Sequence, residues 1–378
     1  MKNKGLIATL ILLTILVVGE LFYNKSEKHL NLSEKQVVKI GILQYVTHDA
    51  LDAIEKGVED GLAQEGYKGK KVKLTVLNAE ADQSKIQAMS KQLVNHHNDI
   101  LIGIATPSAQ GLAASTKDTP IIMGAVSDPL GAKLVTNMKK PTTNVTGLSN
   151  VVPTKQTVQL IKDITPNVKR IGILYASSED NSVSQVTEFT KYAQKAGLEV
   201  LKYSVPSTNE IKTSMSVMTK KVDAVFVPQD NTIASAFRTV IVAANQANIP
   251  VYSSVDTMVE QGSIASVAQS QYGLGLETAK QAIKVLRGKP VKDVPVKVID
   301  TGKPSLNLKA AKHLGIKIPK KIMKQAIKVL RGKPVKDVPV KVIDTGKPSL
   351  NLKAAKHLGI KIPKKIMKQA EITVKVDD

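Results

Sequence analysis

The chain has 378 residues, 42% of them hydrophobic, and a formal net charge of +22 at pH 7. It contains no cysteine, which excludes disulfide frameworks, thiolate zinc sites, cysteine nucleophiles and a lipid anchor on cysteine. Aromatic residues make up 3% of the chain, and no arginine-rich stretch is interleaved with aromatic residues, so nucleic acid is not expected as a partner.

The N-terminus predicts a membrane anchor. Lys2 and Lys4 precede an uncharged run at 5–19, and the stretch that ends at Tyr23 would span about 28 Å as a helix. The two lysines fit the positive-inside rule for a domain that is translocated. Because no small-x-small cleavage site follows, an uncleaved signal anchor at 1–23 is favoured over a signal peptide removed after export. Residues 24–36 are polar and predict a linker.

From Val37 onward, short β-branched runs alternate with helical segments, a pattern typical of parallel strands joined by crossover helices. The first set of strands is predicted at 38–43, 72–77, 100–105 and 120–125, with helices at 49–65, 84–96 and 107–116. The second set is predicted at 170–175, 199–204, 224–227, 251–253 and 263–267, with helices at 154–164, 182–196, 209–220, 233–247, 255–262 and from 273 onward. KIGIL at 39–43 and RIGILY at 170–175 each open a set, so two similar lobes in series are predicted.

The C-terminal part contains a perfect tandem repeat. Residues 280–323 and 324–367 are two copies of one segment, followed by a tail at 368–378. A solenoid is not indicated, because solenoids need at least three repeats. The first copy continues a helix pattern that begins at Gly273, so we expect this copy to occupy the segment's place in the fold.

The loops after the predicted strands contain the candidate binding residues. In open parallel sheets, ligands bind beyond the carboxyl ends of the strands, and helix N-termini at those ends favour anions. The candidates are Gln44, Tyr45, His48, Thr106, Ser108, Asp128, Tyr175, Ser177, Glu179, Asn181, Asp230, Asn231, Ser254 and Tyr272.

Several candidates also have an ordinary structural explanation. His48 could cap the following helix, and Asp128 could start a turn before Pro129. Asp230 and Asn231 could form an N-cap pair. Tyrosines at half-buried strand ends are common, so ring contacts with a ligand are one of two explanations for them.

Six motifs resemble the ABC-transporter substrate-binding family that includes binders of tryptophan and other aromatic amino acids. The resemblance extends over 37–319, and its motifs lie at 39–52 (KIGILQYVTHDALD), 103–110 (GIATPSAQ), 124–135 (GAVSDPLGAKLV), 144–150 (NVTGLSN), 227–236 (VPQDNTIASA) and 304–319 (PSLNLKAAKHLGIKIP). It implies the type I periplasmic-binding-protein fold, an α/β fold of two Rossmann-like lobes with parallel sheets flanked by helices, a three-strand hinge and a ligand cleft. Lobe 1 would comprise 37–147 plus 273–299, and lobe 2 would comprise 148–272 plus 300–319.

The resemblance also implies a function. The chain would be a monomer on the extracytoplasmic face of the cell membrane, where it captures an amino acid and delivers it to an ABC permease with its ATPase subunit. For such a ligand, Thr106 and Ser108 are candidates for the carboxylate, and Asp230, helped by Asp128 or Glu179, for the ammonium group. Tyr45, Tyr175 or Tyr272 would line the side-chain pocket.

No catalytic residue, metal site or cofactor is predicted. The sequence lacks GxSxG, a GxxxxGKS phosphate loop and a GxGxxG after a strand. His96 and His97 lack the spacing of a helical metal site. Two alternatives stay open, a ligand-sensing ectodomain and a binding protein for a small molecule other than an amino acid.

Overall fold

The computed structural model describes residues 37–323, together with the backbone of 349–351 and 371–374. The predicted anchor at 1–23 and linker at 24–36 lie outside the described residues, as do most of the second copy at 324–367 and of the tail at 368–378. None of the helices described in 37–323 is long and apolar enough to cross a membrane.

The first part of the chain alternates strands and helices as the pattern predicts. Its elements are β1 (Val38–Gln44), α1 (Asp49–Gln64), β2 (Val72–Asn78), α2 (Gln83–Asn95), β3 (Ile100–Ile104), α3 (Thr106–Ser115), β4 (Ile121–Val126) and β5 (Val145–Asn150).

The same alternation continues to the end of the first repeat copy. The elements are α4 (Thr154–Ile164), β6 (Arg170–Ala176), α5 (Asp180–Lys195), β7 (Glu199–Val205), α6 (Ile211–Met218), β8 (Ala224–Val227), α7 (Asn231–Ser235), α8 (Phe237–Gln246), β9 (Val251–Ser253), α9 (Asp256–Glu260), β10 (Ala265–Ala268), α10 (Gln271–Leu286), β11 (Lys297–Ile299), β12 (Lys303–Leu306) and α11 (Leu308–His313).

Two six-stranded sheets define two lobes, which confirms the two-lobed α/β fold. Lobe 1 contains the all-parallel sheet β2-β1-β3-β4-β5-β11, and lobe 2 contains β7-β6-β8-β9-β10-β12, in which β12 is antiparallel to β10. Apart from β12, the two sheets follow one topology. The core of lobe 1 is mainly aliphatic, whereas that of lobe 2 also contains Phe189, Phe226, Phe237 and Tyr252. Central strand residues such as Ile40 and Ile173 are fully buried. This burial on both faces explains the near-continuous hydrophobic runs in the sequence.

Some elements differ from the pattern. No strand is predicted at β5, β11 or β12, because these short strands with polar ends show no clear periodicity in the sequence. The helix predicted at 233–247 is two helices, because Ala236 leaves the helical region with φ −124° and ψ 24°.

Three crossings connect the lobes, one after each of β5, β10 and β11. Gln269 joins them: its Nε2 donates to the carbonyl oxygen of Val151 at 2.8 Å and to that of Ile299 at 3.4 Å. The Val151 N–H also donates to the Ile299 carbonyl oxygen at 2.9 Å. The three crossing segments therefore form one hydrogen-bonded hinge.

Helix α10 packs closely against α1 in lobe 1. A Cβ on Gly275 would lie 2.1 Å from the Ile54 carbonyl oxygen, so only glycine fits there. The close approach fixes α1, which carries part of the cleft wall. The second half of α10 belongs to the first repeat copy, as do β11 and β12. Separately, residues 328–378 form a compact unit in which Ser349–Asn351 and Glu371–Val374 pair as short parallel strands.

Candidate functional site

The topology places two switch points opposite each other. In each sheet the chain winds to one side from the first strand to the second and then to the other side for the rest. A crevice forms at such a point beyond the carboxyl ends of the first and third strands. The loops after β1 and β3 of lobe 1 therefore meet the loops after β6 and β8 of lobe 2.

A cavity lies between these four loops. It contains about 430 Å³ of space, a volume that includes open solvent. Its walls come from both lobes. Polar lining residues are His48, Thr106, Ser127, Asn150, Asn181, Gln229, Asp230, Asn231 and Gln271.

Hydrogen bonds join the two lobes around this cavity. Side-chain hydrogen bonds cross from one lobe to the other on several sides of it. They include Gln110 to Asp180 (2.9 Å), Ser184 to Asp128 (2.9 Å), Gln185 to Ser127 (3.2 Å), Gln261 to Asp49 (2.7 Å) and His48 to Asn231 (3.3 Å). Burial lowers the pKa of His48, so the neutral ring donates from Nε2 to the Asn231 amide oxygen.

Lobe 2 holds a fully buried carboxylate next to the cavity. Glu179 follows β6 and accepts hydrogen bonds from the backbone N–H groups of Asn231 and Thr232, at 3.2 and 2.8 Å. Side chains of Asn231, Thr232 and Asn181 donate to it at 2.5, 2.8 and 3.2 Å. Since a buried carboxylate is tolerated only with such partners, Glu179 organises the residues that line the cavity rather than facing it.

Asp230 is the second buried carboxylate of lobe 2, and it does line the cavity. One oxygen accepts from the Ile233 N–H at 2.8 Å as the N-cap of α7, and the other accepts from the Ala176 N–H at 2.6 Å. Burial, with the nearby Glu179 next, raises the pKa of Asp230 to about 7. The group thus has a structural task and still presents a titratable charge to the cavity.

Lobe 1 presents a helix N-terminus to the same space. Thr106 begins α3, is 3% exposed and lines the cavity together with Ala105. Ala105 has φ 74°, a left-handed conformation that costs a non-glycine residue energy and is concentrated at functional sites. The first N–H groups of a helix have no partner within the helix, and the helix dipole makes this end positive.

Two amide oxygens in the cavity wall have no partner within the described part of the chain. Asn150 donates from Nδ2 to Gln229 Oε1 at 2.9 Å, and Asn181 donates to the Gln229 carbonyl oxygen at 2.9 Å. The Oδ1 atoms of both asparagines are buried without a hydrogen-bond partner there. A buried acceptor without a partner is costly, so these atoms mark where a donor of a ligand would bind.

The remaining wall is apolar. Leu51 and Ile54 of α1 face Val255 and Met258 of lobe 2, and several alanines leave room beside them. Within 37–323, no aromatic side chain lines this cavity. A flat apolar group would contact aliphatic side chains and the methionine sulfur here.

The structure brings five of the sequence-predicted residues to the cavity: His48, Thr106, Asn181, Asp230 and Asn231. Four others are buried nearby without lining it. Gln44 donates to Asp52 at 2.7 Å, while Ser108 and Ser254 are fully buried. Tyr45 is 6% exposed, hydrogen-bonds Thr232 of lobe 2, and burial raises its pKa to about 12.

Five predicted residues lie elsewhere for identifiable reasons. Asp128 caps a turn and bonds Ser184 at the cleft rim, and Glu179 is enclosed by its own network. Tyr175 packs on the core of lobe 2, and Ser177 is exposed. Tyr272 is 38% exposed and donates to Asp60 of α1 at 3.0 Å, because it starts α10 on the outside of lobe 1.

The candidate list omitted several lining residues. Asn150 is not among the candidates because the sequence predicts no strand at β5. It nevertheless lies at the carboxyl end of that strand, which is the kind of position from which the candidates are drawn. Gln229 lies in the loop after β8. Its position beyond the end of a predicted strand is a sequence signal that identifies it as a candidate. Leu51, Ile54 and Met258 carry only the helical periodicity of core residues, so no sequence signal separates them from the core.

Within 37–323, no group of three or more histidine or carboxylate side chains is placed to hold a metal ion. The cavity has an anion-favouring end, buried acceptors and an apolar wall. Together with the hinge, it defines a two-lobed binding protein for a small polar molecule.

The comparison with known proteins identifies the family. Residues 39–329 match the family of ABC transporter substrate binding proteins, and residues 324–374 match it a second time. The chain therefore belongs to the ABC transporter substrate-binding proteins and has the type I periplasmic-binding-protein fold. The relatives it matches are solute-binding proteins rather than enzymes.

Three similar proteins are informative. The chain is 55% identical to a Streptococcus pneumoniae domain solved in complex with L-Trp, which covers 76% of this chain and 98% of that chain with a TM-score of 0.76. It is 37% identical over 278 residues to the tyrosine-binding protein of Clostridioides difficile, covering 73% of this chain and 81% of that protein. A ligand-free, open substrate-binding protein with adhesive properties from Clostridium difficile is 36% identical, covers 75% of this chain and 96% of that chain, and has a TM-score of 0.59.

Proposed function

We propose that this chain captures a free aromatic amino acid, with tryptophan as the first candidate, and delivers it to an ABC permease and its ATPase subunit. The observation that carries the proposal is the pair of buried, unpartnered acceptors, Asn150 Oδ1 and Asn181 Oδ1, in a cavity closed by both lobes.

The ammonium group of the ligand binds between Asp230 and Asn181 of lobe 2 and Asn150 at the end of β5. An ammonium has three donors and a positive charge, which match the two asparagine oxygens and the Asp230 carboxylate. Glu179 adds negative potential from behind without contacting the ligand. The ammonium would satisfy acceptors that are otherwise buried at a cost.

The carboxylate binds at the lobe 1 side. The N-terminus of α3 supplies N–H groups and the positive end of a helix dipole, and the Thr106 hydroxyl adds a donor. The sequence predicts Ser108 as a second contact for the carboxylate. Because Ser108 is fully buried, we assign it to supporting this turn instead.

The side chain of the ligand lies on the apolar wall between α1 and Met258. Its aromatic character is supported by the two relatives whose names state L-Trp and tyrosine. An aromatic ring would bury a large area against Leu51, Ile54 and Met258.

Closure of the lobes is the signal that a permease would recognise. A ligand that contacts both lobes only in the closed form shifts the population toward that form. The agreement with the L-Trp complex, at TM-score 0.76, exceeds that with the ligand-free open relative, at 0.59, which supports reading this arrangement as the ligand-bound shape.

We further propose the arrangement in the cell. Residues 1–23 anchor a monomer at the extracytoplasmic face of the membrane, and 24–36 form the linker. Residues 37–147 plus 273–299 move as lobe 1, and 148–272 plus 300–319 move as lobe 2. Export with cleavage of the N-terminal segment is the alternative to anchoring.

A calorimetric and thermal-shift series tests the ligand. L-Trp, L-Tyr and L-Phe are compared with L-Leu, L-Glu, ribose and adenine, using the full chain. At 100 times its dissociation constant, the true ligand adds about 2.7 kcal/mol to the free energy of unfolding. We expect L-Trp to give the largest shift, with L-Tyr second.

The matched variants are Asn150→Ala for the ammonium site and, as a control, Lys155→Ala, at an exposed residue that does not line the cavity. Asn150→Ala should reduce L-Trp affinity by about tenfold or more, which corresponds to about 1.4 kcal/mol. No shift with any amino acid would overturn the proposal and favour a ligand-sensing ectodomain or a carrier of another small molecule.

A further inference from the structure

The end of lobe 1 that lies farthest from the cleft is basic. All strands of its sheet are parallel, so they begin at this end, and the loops leading into them lie side by side. Exposed lysines occur in one loop after another, and we call this surface the basic end. Its main residues are Lys70, Lys71, Lys117, Lys139, Lys140 and Lys289.

Hydrogen bonds between neighbouring loops make the surface continuous. Asn144 donates from Nδ2 to the Thr119 carbonyl oxygen at 2.7 Å, which joins the loops before β4 and β5. The Val296 N–H donates to the Met138 carbonyl oxygen at 2.8 Å, which joins the loops before β5 and β11.

The lysines around the end of α10 are close enough to affect one another. Burial first, and then the positive charges of Lys289 and Lys297, lower the pKa of Lys284. Like charges gathered in this way cost free energy in the isolated protein, and a negatively charged partner would remove that cost.

Acidic and basic side chains of lobe 1 are concentrated at opposite ends of the lobe. The cleft-facing end carries carboxylates, including Asp49, Asp52, Glu80, Asp82 and Asp128. At the basic end, Glu65 is paired with Arg287 at 2.7 Å, and the exposed Asp118 and Asp293 are outnumbered by lysines.

Structural reasons account for only part of the basic end. A cation near the end of α10 balances the helix dipole, which explains Lys284 and Arg287. Lysine on an edge strand discourages strand pairing, which explains Lys73 of β2. The helix-dipole reason also covers Lys117, whose Nζ donates to the Ala113 carbonyl oxygen at the end of α3 at 2.6 Å. Neither reason applies to Lys139 and Lys140, which lie in the loop before the inner strand β5.

We propose that the basic end rests on anionic phospholipid headgroups beside the point where the chain leaves the membrane. Strand β1 begins at Val38, which pairs with Val72 next to Lys70 and Lys71, so the chain enters lobe 1 at this end. A linker of 24–36 reaches at most about 45 Å when extended. Lysines held this close to an anionic surface are attracted to it. The inference rests on the proposed anchor and is independent of the proposed ligand.

The test uses the full chain reconstituted in lipid nanodiscs of phosphatidylcholine alone or with about 40% phosphatidylglycerol, a content that makes the surface anionic. Lysine acetylation rates are read by mass spectrometry. Lys117, Lys139 and Lys140 are the reporters, because peptides from 280–326 occur twice in the chain and cannot be assigned to one copy.

We expect the anionic discs to slow acetylation of the three reporters about threefold or more, and about 0.5 M salt to remove the difference through screening. Lys155, Lys212 and Lys221, exposed on lobe 2, should react equally on both discs. Equal reporter rates on both discs would overturn the inference.

Charge reversal supplies the matched control. The triple variant Lys117→Glu, Lys139→Glu, Lys140→Glu should abolish protection of Lys70 and Lys71, whereas Lys155→Glu, Lys191→Glu, Lys212→Glu changes the net charge equally and should leave it intact. Unchanged protection in the first variant would contradict the inference. Loss of the chain from both disc types would overturn the anchor and this inference, while L-Trp binding measured in the same sample would be unaffected.

Discussion

The two lobes wind their sheets in the same order, yet they present opposite charges to the cavity. Lobe 1 offers the N-terminus of α3 and the neutral His48, whereas lobe 2 offers Asp230 with Glu179 behind it. The difference shows that topology determines where a ligand binds, while a few loop residues determine which end of the ligand each lobe receives. A zwitterion is the kind of ligand that suits such a pair.

The polar groups around the cavity also differ in how they are satisfied. Glu179 accepts five hydrogen bonds within lobe 2, so its oxygens are occupied. The oxygens of Asn150 and Asn181 have no partner within 37–323. The first group builds the site and the second is available to a ligand.

The largest effect is expected from Glu179→Ala, which would remove the organiser of lobe 2. The N–H groups of Asn231 and Thr232 would remain buried without an acceptor, at about 1–3 kcal/mol each. We expect the free energy of unfolding to fall by about 3 kcal/mol and L-Trp binding to be lost, as measured by urea titration and calorimetry. Glu188→Ala, on the same lobe, is the control, and equal behaviour of the two variants would show that Glu179 does not organise the lobe 2 side of the site.

A crossed experiment would sharpen the assignment of charges. Thr106→Val should weaken L-Trp by about tenfold but L-tryptophanamide, which lacks the carboxylate, much less. Asn181→Ala should weaken L-Trp by about tenfold but indole-3-propionate, which lacks the ammonium, much less. The same loss for both ligands of a pair would argue that the lobes do not divide the zwitterion.

A smaller effect is expected from pH. The pKa of Asp230 is raised to about 7, and the ionised form is the one that attracts an ammonium. Affinity for L-Trp should therefore rise from pH 6 to pH 7.5 by up to about tenfold per unit and then level off. Asp230→Asn should bind more weakly and without this slope. A flat wild-type profile would show that Asp230 serves only as the α7 cap.

The smallest effect is expected from removing the second repeat copy. The first copy supplies β11 to lobe 1 and β12 to lobe 2, so both lobes are complete without 324–367. Deletion of 324–367 should leave the melting temperature of the main unit and the L-Trp affinity unchanged. A clear loss of either quantity would show that the lobes depend on the second copy.

Much of the fold could be read from the sequence. Buried parallel strands need hydrophobic runs, and crossover helices need amphipathic ones, so the alternation and the recurrence of KIGIL as RIGILY predict two α/β lobes. Ligands of such sheets bind beyond the carboxyl ends of the strands, at a switch point that the strand order determines. This rule predicts His48, Thr106, Asn181, Asp230 and Asn231 as lining residues.

The remaining features depend on tertiary structure. Whether Tyr272 faces the cavity or Asp60 depends on how α10 packs on α1, and Leu51 has the same local pattern whether it faces core or cavity. The role of Glu179 depends on donors about fifty residues away in sequence. Local sequence determines the periodicity of each element, but the direction of a side chain and its partners depend on contacts between elements distant in the chain.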